Sequence, residues 1–240
     1  MYLLALDTSN QTMSVAVMHD QTLLAETTIN HKKTHSEQLL PTIQNLLKQS
    51  ALQIDQIDRI VVAAGPGSYT GIRIAVTTGK TLAYTLNKEL VGVSSLAALA
   101  AGVTDTQALI VPLMDARRQN VFAGVYQWVN GELINVVQDS HLPLTQLLEE
   151  VRVLRQPAVF VGADVEKFAD EIRSTLGSKA NLADPLRAYP RASRIALLGM
   201  HAKPVSVFDF VPTYLRVTEA ERNWLKTHSD EGHEPYVEKV

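Results

Sequence analysis

The sequence predicts an α/β protein of two similar lobes, each reading strand, strand, strand, helix, strand, helix. Three observations carry this. The chain opens on "YLLALD", Tyr2 to Asp7, apolar on both alternating faces as a central strand is. A glycine-rich turn, "GPGSYTG", joins an apolar strand to a long helical stretch. The element order of the first half then recurs in the second without obvious identity, which points to a duplicated unit with a boundary near Gly102 to Thr106.

In the first half, Met13 to Met18 and Leu23 to Ile29 are rich in apolar residues and threonine, and "HDQT" between them predicts a hairpin. A helix from Thr34 to Gln49 follows. Thr34 and Glu37 have capping-box spacing, and Leu39, Leu40, Ile43, Leu46 and Leu47 repeat on one face, with Pro41 expected to kink it. Next come a strand at Arg59 to Ala64, the glycine turn, a helix from Thr70 to Leu86, and a short strand at Leu90 to Val93.

In the second half, Ala108 to Met114 reads as a strand. Val121 to Trp128 pairs with Glu132 to Val137 across Asn130-Gly131, a strong hairpin signal. A helix at Leu144 to Leu154, a strand at Ala158 to Gly162 and a helix at Val165 to Leu176 complete the unit. A helix at Ala192 to His201 and the segment "FDFVPTYLR" follow. The expected domains are residues 1–104, residues 105–216 with the last segment packing back on the first lobe, and a mobile tail at 217–240, where apolar patterning stops. Two lobes around a cleft are the plan of the actin, sugar-kinase and Hsp70 ATPase superfamily, an analogy of fold that carries no function.

With 240 residues, 46% of them hydrophobic, the chain can bury a substantial core. A net charge of −3 argues against binding nucleic acid through the chain's own positive field, so any such role needs a partner's charge. There is no cysteine, hence no disulfide, thiol nucleophile or thiolate ligand, which fits a reducing cytoplasm. "MYLLALDTS" lacks a basic n-region and meets Asp7 too early for a secretory signal, and no uncharged run is long enough to span a membrane.

The glycine turn fails both phosphate-loop templates. Five residues before Gly71 stands Pro66, and Ile72 occupies the Walker lysine position. Gly65, Gly67 and Gly71 are spaced one residue too wide for a dinucleotide fingerprint. What remains is a strand-to-helix turn whose N–H groups can hold an anion, or one whose glycines serve tight reversal and packing, the more ordinary use. In the helix behind it, Gly71, Ala75, Gly79 and Ala83 recur every four residues as a smooth stripe for close helix approach. The helix is apolar nearly all round, which predicts burial on more than one side: within this chain, or with one face on the sheet and another on a second protein.

Asp7, Thr8 and Ser9 end the first strand where two-lobed ATPases hold metal and phosphate oxygens; the plainer account is a capped turn. The corresponding turn of the second lobe, "LMDARRQNV", carries Arg117 and Arg118 where glycines would admit phosphate, so weak or absent nucleotide binding is expected. His31 and His35 have metal-ligand spacing, but no third ligand is near and His31 precedes the helix, so solvent or interface roles are expected. His201, His228 and His233 are isolated, no H-E-x-x-H occurs, and Ser68 is not in a nucleophile elbow.

The stretches "LALDTS", "THSEQLLP", "AAGPGSYTGIRIAVTTGKTLA", "GVSSLAALA", "PLMDARRQNVF" and "PTYLR" together resemble the TsaB (YeaZ) family, partner subunits of the bacterial tRNA threonylcarbamoyladenosine machinery. The likeness runs in consistent order from Leu3 to Arg216. It implies a cytoplasmic, non-catalytic subunit with no cofactor and no metal, required for forming threonylcarbamoyladenosine beside the anticodon. The related catalytic subunit, TsaD, shares the fold and binds a metal through a histidine pair, where this chain has Ser94 and Ala98. The resemblance further implies pairing with TsaD through the helices at Thr34 to Gln49 and Thr70 to Leu86, work with the ATPase TsaE, homodimers through the same surface, and contact with tRNA only through the complex. The interface residues expected are Leu39, Ile43, Gly71, Ala75, Gly79 and Ala83, with Asp7, Thr8 and Ser9 as a vestigial nucleotide site. An autonomous ATP-dependent phosphotransferase or ATPase is the alternative. A peptidase, after the historical glycoprotease label of the wider family, lacks both ligands and nucleophile.

Overall fold

The computed structural model describes residues 1–31, 34–104 and 106–216; the expected tail at 217–240, with His228 and His233, lies outside them. The first sheet comprises β1 (Tyr2–Asp7), β2 (Met13–His19), β3 (Thr22–Ile29), β4 (Arg59–Ala63) and β5 (Glu89–Val93), in spatial order β3-β2-β1-β4-β5. The second comprises β6 (Leu109–Asp115), β7 (Asn120–Val129), β8 (Glu132–Pro143), β9 (Ala158–Val161) and β10 (Ala180–Leu182), in order β10-β9-β6-β7-β8. In each, a three-strand antiparallel meander continues into two parallel strands, so the two sheets have the same topology.

The helices are α1 (His35–Gln49), α2 (Tyr69–Leu86), α3 (Ser95–Ala100), α4 (Leu144–Val153), α5 (Ala169–Leu176) and α6 (Ala192–Gly199). One face of the first sheet is covered by α1 and α2, where Leu39, Ile43, Leu46 and Val76 meet Leu4, Val15 and Val62. The other face takes α6, through Ala192, Ile195 and Ala196. The second sheet is covered by α4 and α5 on one face and by α3 on the other. The chain therefore exchanges helices. α3, which leaves the first sheet, packs on the second, and α6, which follows the second sheet, packs on the first.

Local chemistry accounts for the element ends. Asn130 and Gly131 both adopt positive φ, 53° and 84°, as a two-residue turn with right-handed strand twist requires. α2 starts at Ser68, whose side chain accepts from the Gly71 N–H, and stops at Asn87, left-handed with φ 52°. The expected Thr34–Glu37 capping box is not formed. Thr34 is the N-cap of α1 but its side chain makes no cap hydrogen bond, and the Glu37 N–H donates to the Thr34 carbonyl at 3.1 Å instead. α1 runs through Pro41 without a break. The helix expected from Val165 divides into a 3-10 turn, Val165–Phe168, and the shorter α5.

The last described residues form a strap over the first lobe. The Val205 N–H donates to the Leu90 carbonyl at 2.8 Å, and the Thr213 N–H to the Ala64 carbonyl at 2.7 Å. Phe210 packs into the first core, and Lys80 donates to the carbonyls of Phe208 and Phe210 at 3.2 and 2.7 Å.

Candidate functional site

The glycine turn closes on the β1–β2 turn, backbone against backbone. A Cβ on Gly67 would lie 2.2 Å from the Ser9 carbonyl oxygen, and one on Gly71 2.1 Å from that of Thr8. No side chain fits in those gaps, which is why the turn needs glycine there. Its N–H groups already have work: the Ser68 N–H donates to the Ser9 carbonyl at 2.7 Å, that of Gly71 to Ser68 Oγ at 3.3 Å, and that of Ile72 to the Ser68 carbonyl at 2.9 Å. The turn is a packing device whose Ser68 and Gly71 N–H groups serve the chain itself.

Asp7, Thr8 and Ser9 are fully buried beneath it. Asp7 Oδ1 accepts from the Ser9 N–H at 2.7 Å, and the Thr8 hydroxyl donates to the Gly71 carbonyl, also at 2.7 Å. Burial holds the Asp7 carboxyl above the usual carboxylate range, with the Ser9 N–H bond and nearby His35 acting the other way. Asp7 Oδ2 and Ser9 Oγ have no protein partner. His35 opens α1 and bonds the Asn10 carbonyl at 2.8 Å, so it ties α1 to this turn, while His31 is exposed.

Across a cleft of about 780 Å³ stands the β6–β7 turn. Arg117, Arg118 and Gln119 are consecutive left-handed residues there, with φ of 68°, 54° and 60°. Asp115 Oδ1 holds the Arg117 N–H at 2.7 Å, and the Asn120 amide donates to the Arg118 carbonyl at 2.9 Å. Lys167 bridges Asp115 and Asp164 at 3.2 and 2.5 Å; both carboxylates, Asp164 the more, hold its ammonium above the ordinary lysine value. Arg117 lines the cleft wall from this side, and Arg216 donates to the Ala116 carbonyl at 3.0 Å.

The small-residue stripe of α2 requires a correction. Gly71 is buried against the Thr8 carbonyl of the β1–β2 turn and Ala75, Gly79 and Ala83 against the chain's own sheet, where a Cβ on Gly79 would stand 2.5 Å from Val62 Cγ1. Leu39 and Ile43 of α1 are buried in the same core, and Leu39 also borders the groove between the two helices. These residues let α1 and α2 seat deeply on the sheet and leave the opposite flanks exposed. Between the two helices those flanks form a groove of about 450 Å³ lined by Leu40, Tyr69, Arg73, Ile74, Thr77 and Thr78. Leu40 is 56% exposed, an apolar side chain off the buried stripe. Leu40, expected on the buried face with Leu39 and Ile43, lies about 100° round the helix from Leu39 and faces outward.

Ser94 caps α3, accepting from the N–H groups of Leu96 and Ala97, and its hydroxyl donates to Asp139. Tyr126 donates to the same carboxylate at 2.5 Å. Burial raises the pKa of both Asp139 and Tyr126, so the cluster is a buried polar pin between α3 and the β7–β8 hairpin. Ala98 is buried in the core between α6 and the first sheet.

A family model described as TsaD, tRNA N6-adenosine threonylcarbamoyltransferase, matches residues 22–224. The tRNA threonylcarbamoyladenosine biosynthesis protein TsaB of Bacillus subtilis is 40% identical over 227 residues, 95% of this chain and 99% of that protein. The chain belongs to the TsaB family.

Among solved structures, YeaZ from Pseudomonas aeruginosa superposes with a TM-score of 0.72 at 27% identity, covering 89% of this chain and 99% of that one. Another is described as an uncharacterized protein with similarity to peptidase YEAZ from Pseudomonas aeruginosa, with a TM-score of 0.76 at 26% identity and coverage of 90% and 99%. The ROK hexokinase of Thermus thermophilus, at 10% identity, a TM-score of 0.51 and coverage of 83% and 98%, shares the fold. The chain thus has the two-sheet fold of the YeaZ structures, which the ROK hexokinase shares. No helix of the described residues is long and apolar enough to cross a membrane.

Proposed function

We propose that this chain is the TsaB subunit of the tRNA threonylcarbamoyladenosine machinery and acts by pairing with TsaD, without chemistry of its own. The observation that carries this is the α1–α2 groove. Two helices whose inner faces are fixed by the core present an outer face of Leu40, Ile74 and short threonines, shaped to take a helix from another protein. The wider partner set is TsaE in addition to TsaD, in the cytoplasm, with homodimers forming through the same face when TsaD is absent and tRNA engaged in the complex.

The alternative, an autonomous ATPase or phosphotransferase, has less support. In active members of this fold, phosphate oxygens need open backbone at both lobe turns. Here one turn is closed by Gly67 and Gly71 on Ser9 and Thr8, and the other carries Arg117 and Arg118.

Leu40→Asp combined with Ile74→Asp tests the reading. The pair of charges on the groove should abolish capture of TsaD by this chain, and Leu40→Asp alone, at the exposed position, should weaken capture while leaving thermal unfolding close to wild type, since Ile74 packs partly against the first core. Undiminished capture would refute the groove as the contact.

A further inference from the structure

The rim of the cleft carries an aromatic pair, one ring of which, Tyr69, also borders the α1–α2 groove while the other, Tyr214, does not. Tyr69, at the start of α2, and Tyr214, on the strap, stack with ring centroids 5.1 Å apart and planes 30° from parallel. Arg73 lies over the Tyr69 ring at 5.1 Å and donates to its hydroxyl at 2.5 Å. The tyrosines remain 48% and 43% exposed. Arg117 and Arg216 line the same cleft, while the acids among them, Asp115 and Asp164, are bridged by Lys167.

Flat aromatic faces backed by guanidinium groups are how proteins hold an unstacked nucleobase with its phosphate alongside. We propose that the Tyr69–Tyr214 pair, with Arg117 and Arg216, is a stacking platform for an unpaired base of the tRNA held by the TsaB–TsaD pair. The proposal rests on the reading of the preceding subsection. With a net charge of −3 this chain has no field to capture RNA alone, so the partner supplies most of the phosphate attraction and the platform adds one stacked base. Tyr69 borders both cleft and groove, but Tyr214, Arg117 and Arg216 lie outside the α1–α2 groove, so the platform can be altered through them without touching the pairing face.

The test uses the full chain in complex with TsaD and a fluorescently labelled anticodon stem-loop RNA, with affinity read by anisotropy and pairing by size-exclusion chromatography. Tyr214→Ala is expected to weaken RNA binding by roughly 5- to 150-fold, the loss of one stacked base. Tyr214→Trp should retain it, and Arg216→Ala should lower the slope of affinity against salt by about one contact. Pairing should be unchanged in all three. Equal RNA affinity for Tyr214→Ala and wild type would overturn the proposal. So would loss of pairing in Tyr214→Ala, which would make the rings a protein contact, or adenosine monophosphate binding that needs Tyr214 while RNA binding does not, which would assign the platform to a free nucleotide. Failure of the wild-type chain to pair with TsaD would instead sink the preceding reading and this one with it.

Discussion

Arg59 and Gly199 are separated by 140 positions in sequence, yet the Arg59 guanidinium donates to the Gly199 carbonyl at 2.8 Å. The same nitrogen reaches the carbonyls of Met200 and Ala202, and another nitrogen of the group pairs with Glu89 at 2.7 Å. A buried cation on the last carbonyls of α6 satisfies acceptors that the helix leaves open and complements its dipole. At the other end, Glu26 accepts from the Ser193 N–H at 2.9 Å and from Arg191 at 2.6 Å. α6 is thereby clamped to the first sheet by a positive charge at its C-terminus and a negative one at its N-terminus.

Arg59→Met should destabilise the chain by about 3 kcal/mol, because several buried carbonyls lose their donor at once. A shift of the urea midpoint with little change in slope would show this. An unshifted midpoint would mean that the clamp is dispensable.

Gly79→Leu and Leu40→Asp should behave in opposite ways. The first drives a side chain into Val62 and should cost about 1–3 kcal/mol or more in overpacking. The second sits on an exposed position and should change stability by about 0.5 kcal/mol or less while weakening the pairing. Urea unfolding of both variants beside a TsaD pull-down separates core from interface; a stable Gly79→Leu variant would reopen the stripe as a surface.

Asp7 gives a pH dependence whose sign is fixed by burial. Its folded pKa is raised, so the folded state binds the proton more tightly than the unfolded chain, and stability falls as pH climbs from the ordinary carboxylate value through the raised folded one. Asp7→Asn cannot ionise. It should be no more stable than wild type in acid and increasingly more stable toward neutral pH, by about 1.4 kcal/mol for each unit of separation between the two pKa values. A difference that stays flat with pH would contradict this.

The strap depends on one missing side chain. A Cβ on Gly92 would stand 2.4 Å from the Phe210 ring, so Gly92→Val should lift residues 205–213 away from β5. Amide exchange at Val205 and Thr213, which donate to Leu90 and Ala64, should accelerate while exchange in β1 and β4 holds. Unchanged protection at those two amides would show that the strap does not need Phe210 in place.

Most of the fold was legible because its strands are apolar runs bounded by turn chemistry, Asn130-Gly131 above all. α3 was lost inside an uncharged run, since six residues hold too few turns for a periodic pattern, and the three-residue β10 was too short to read. β8 continues six residues past the expected end at Val137, and Asp139, which binds Ser94 and Tyr126, lay in that extension. The stripe of α2 shows a deeper limit. Spacing of four identifies a face that something approaches closely, but a neighbouring sheet and a partner helix demand the same small residues. Only the packing of Gly79 on Val62 tells the two apart. The cleft rim was invisible because Tyr69 and Tyr214 are distant in sequence and meet through the strap.

Reconstituted threonylcarbamoyl transfer to tRNA by TsaD and TsaE, measured with this chain, without it, and with the Leu40→Asp, Ile74→Asp variant, tests the proposed role most directly. Transfer that requires the wild-type chain and is lost with the variant is the predicted result. Equal transfer in the absence of the chain would contradict it.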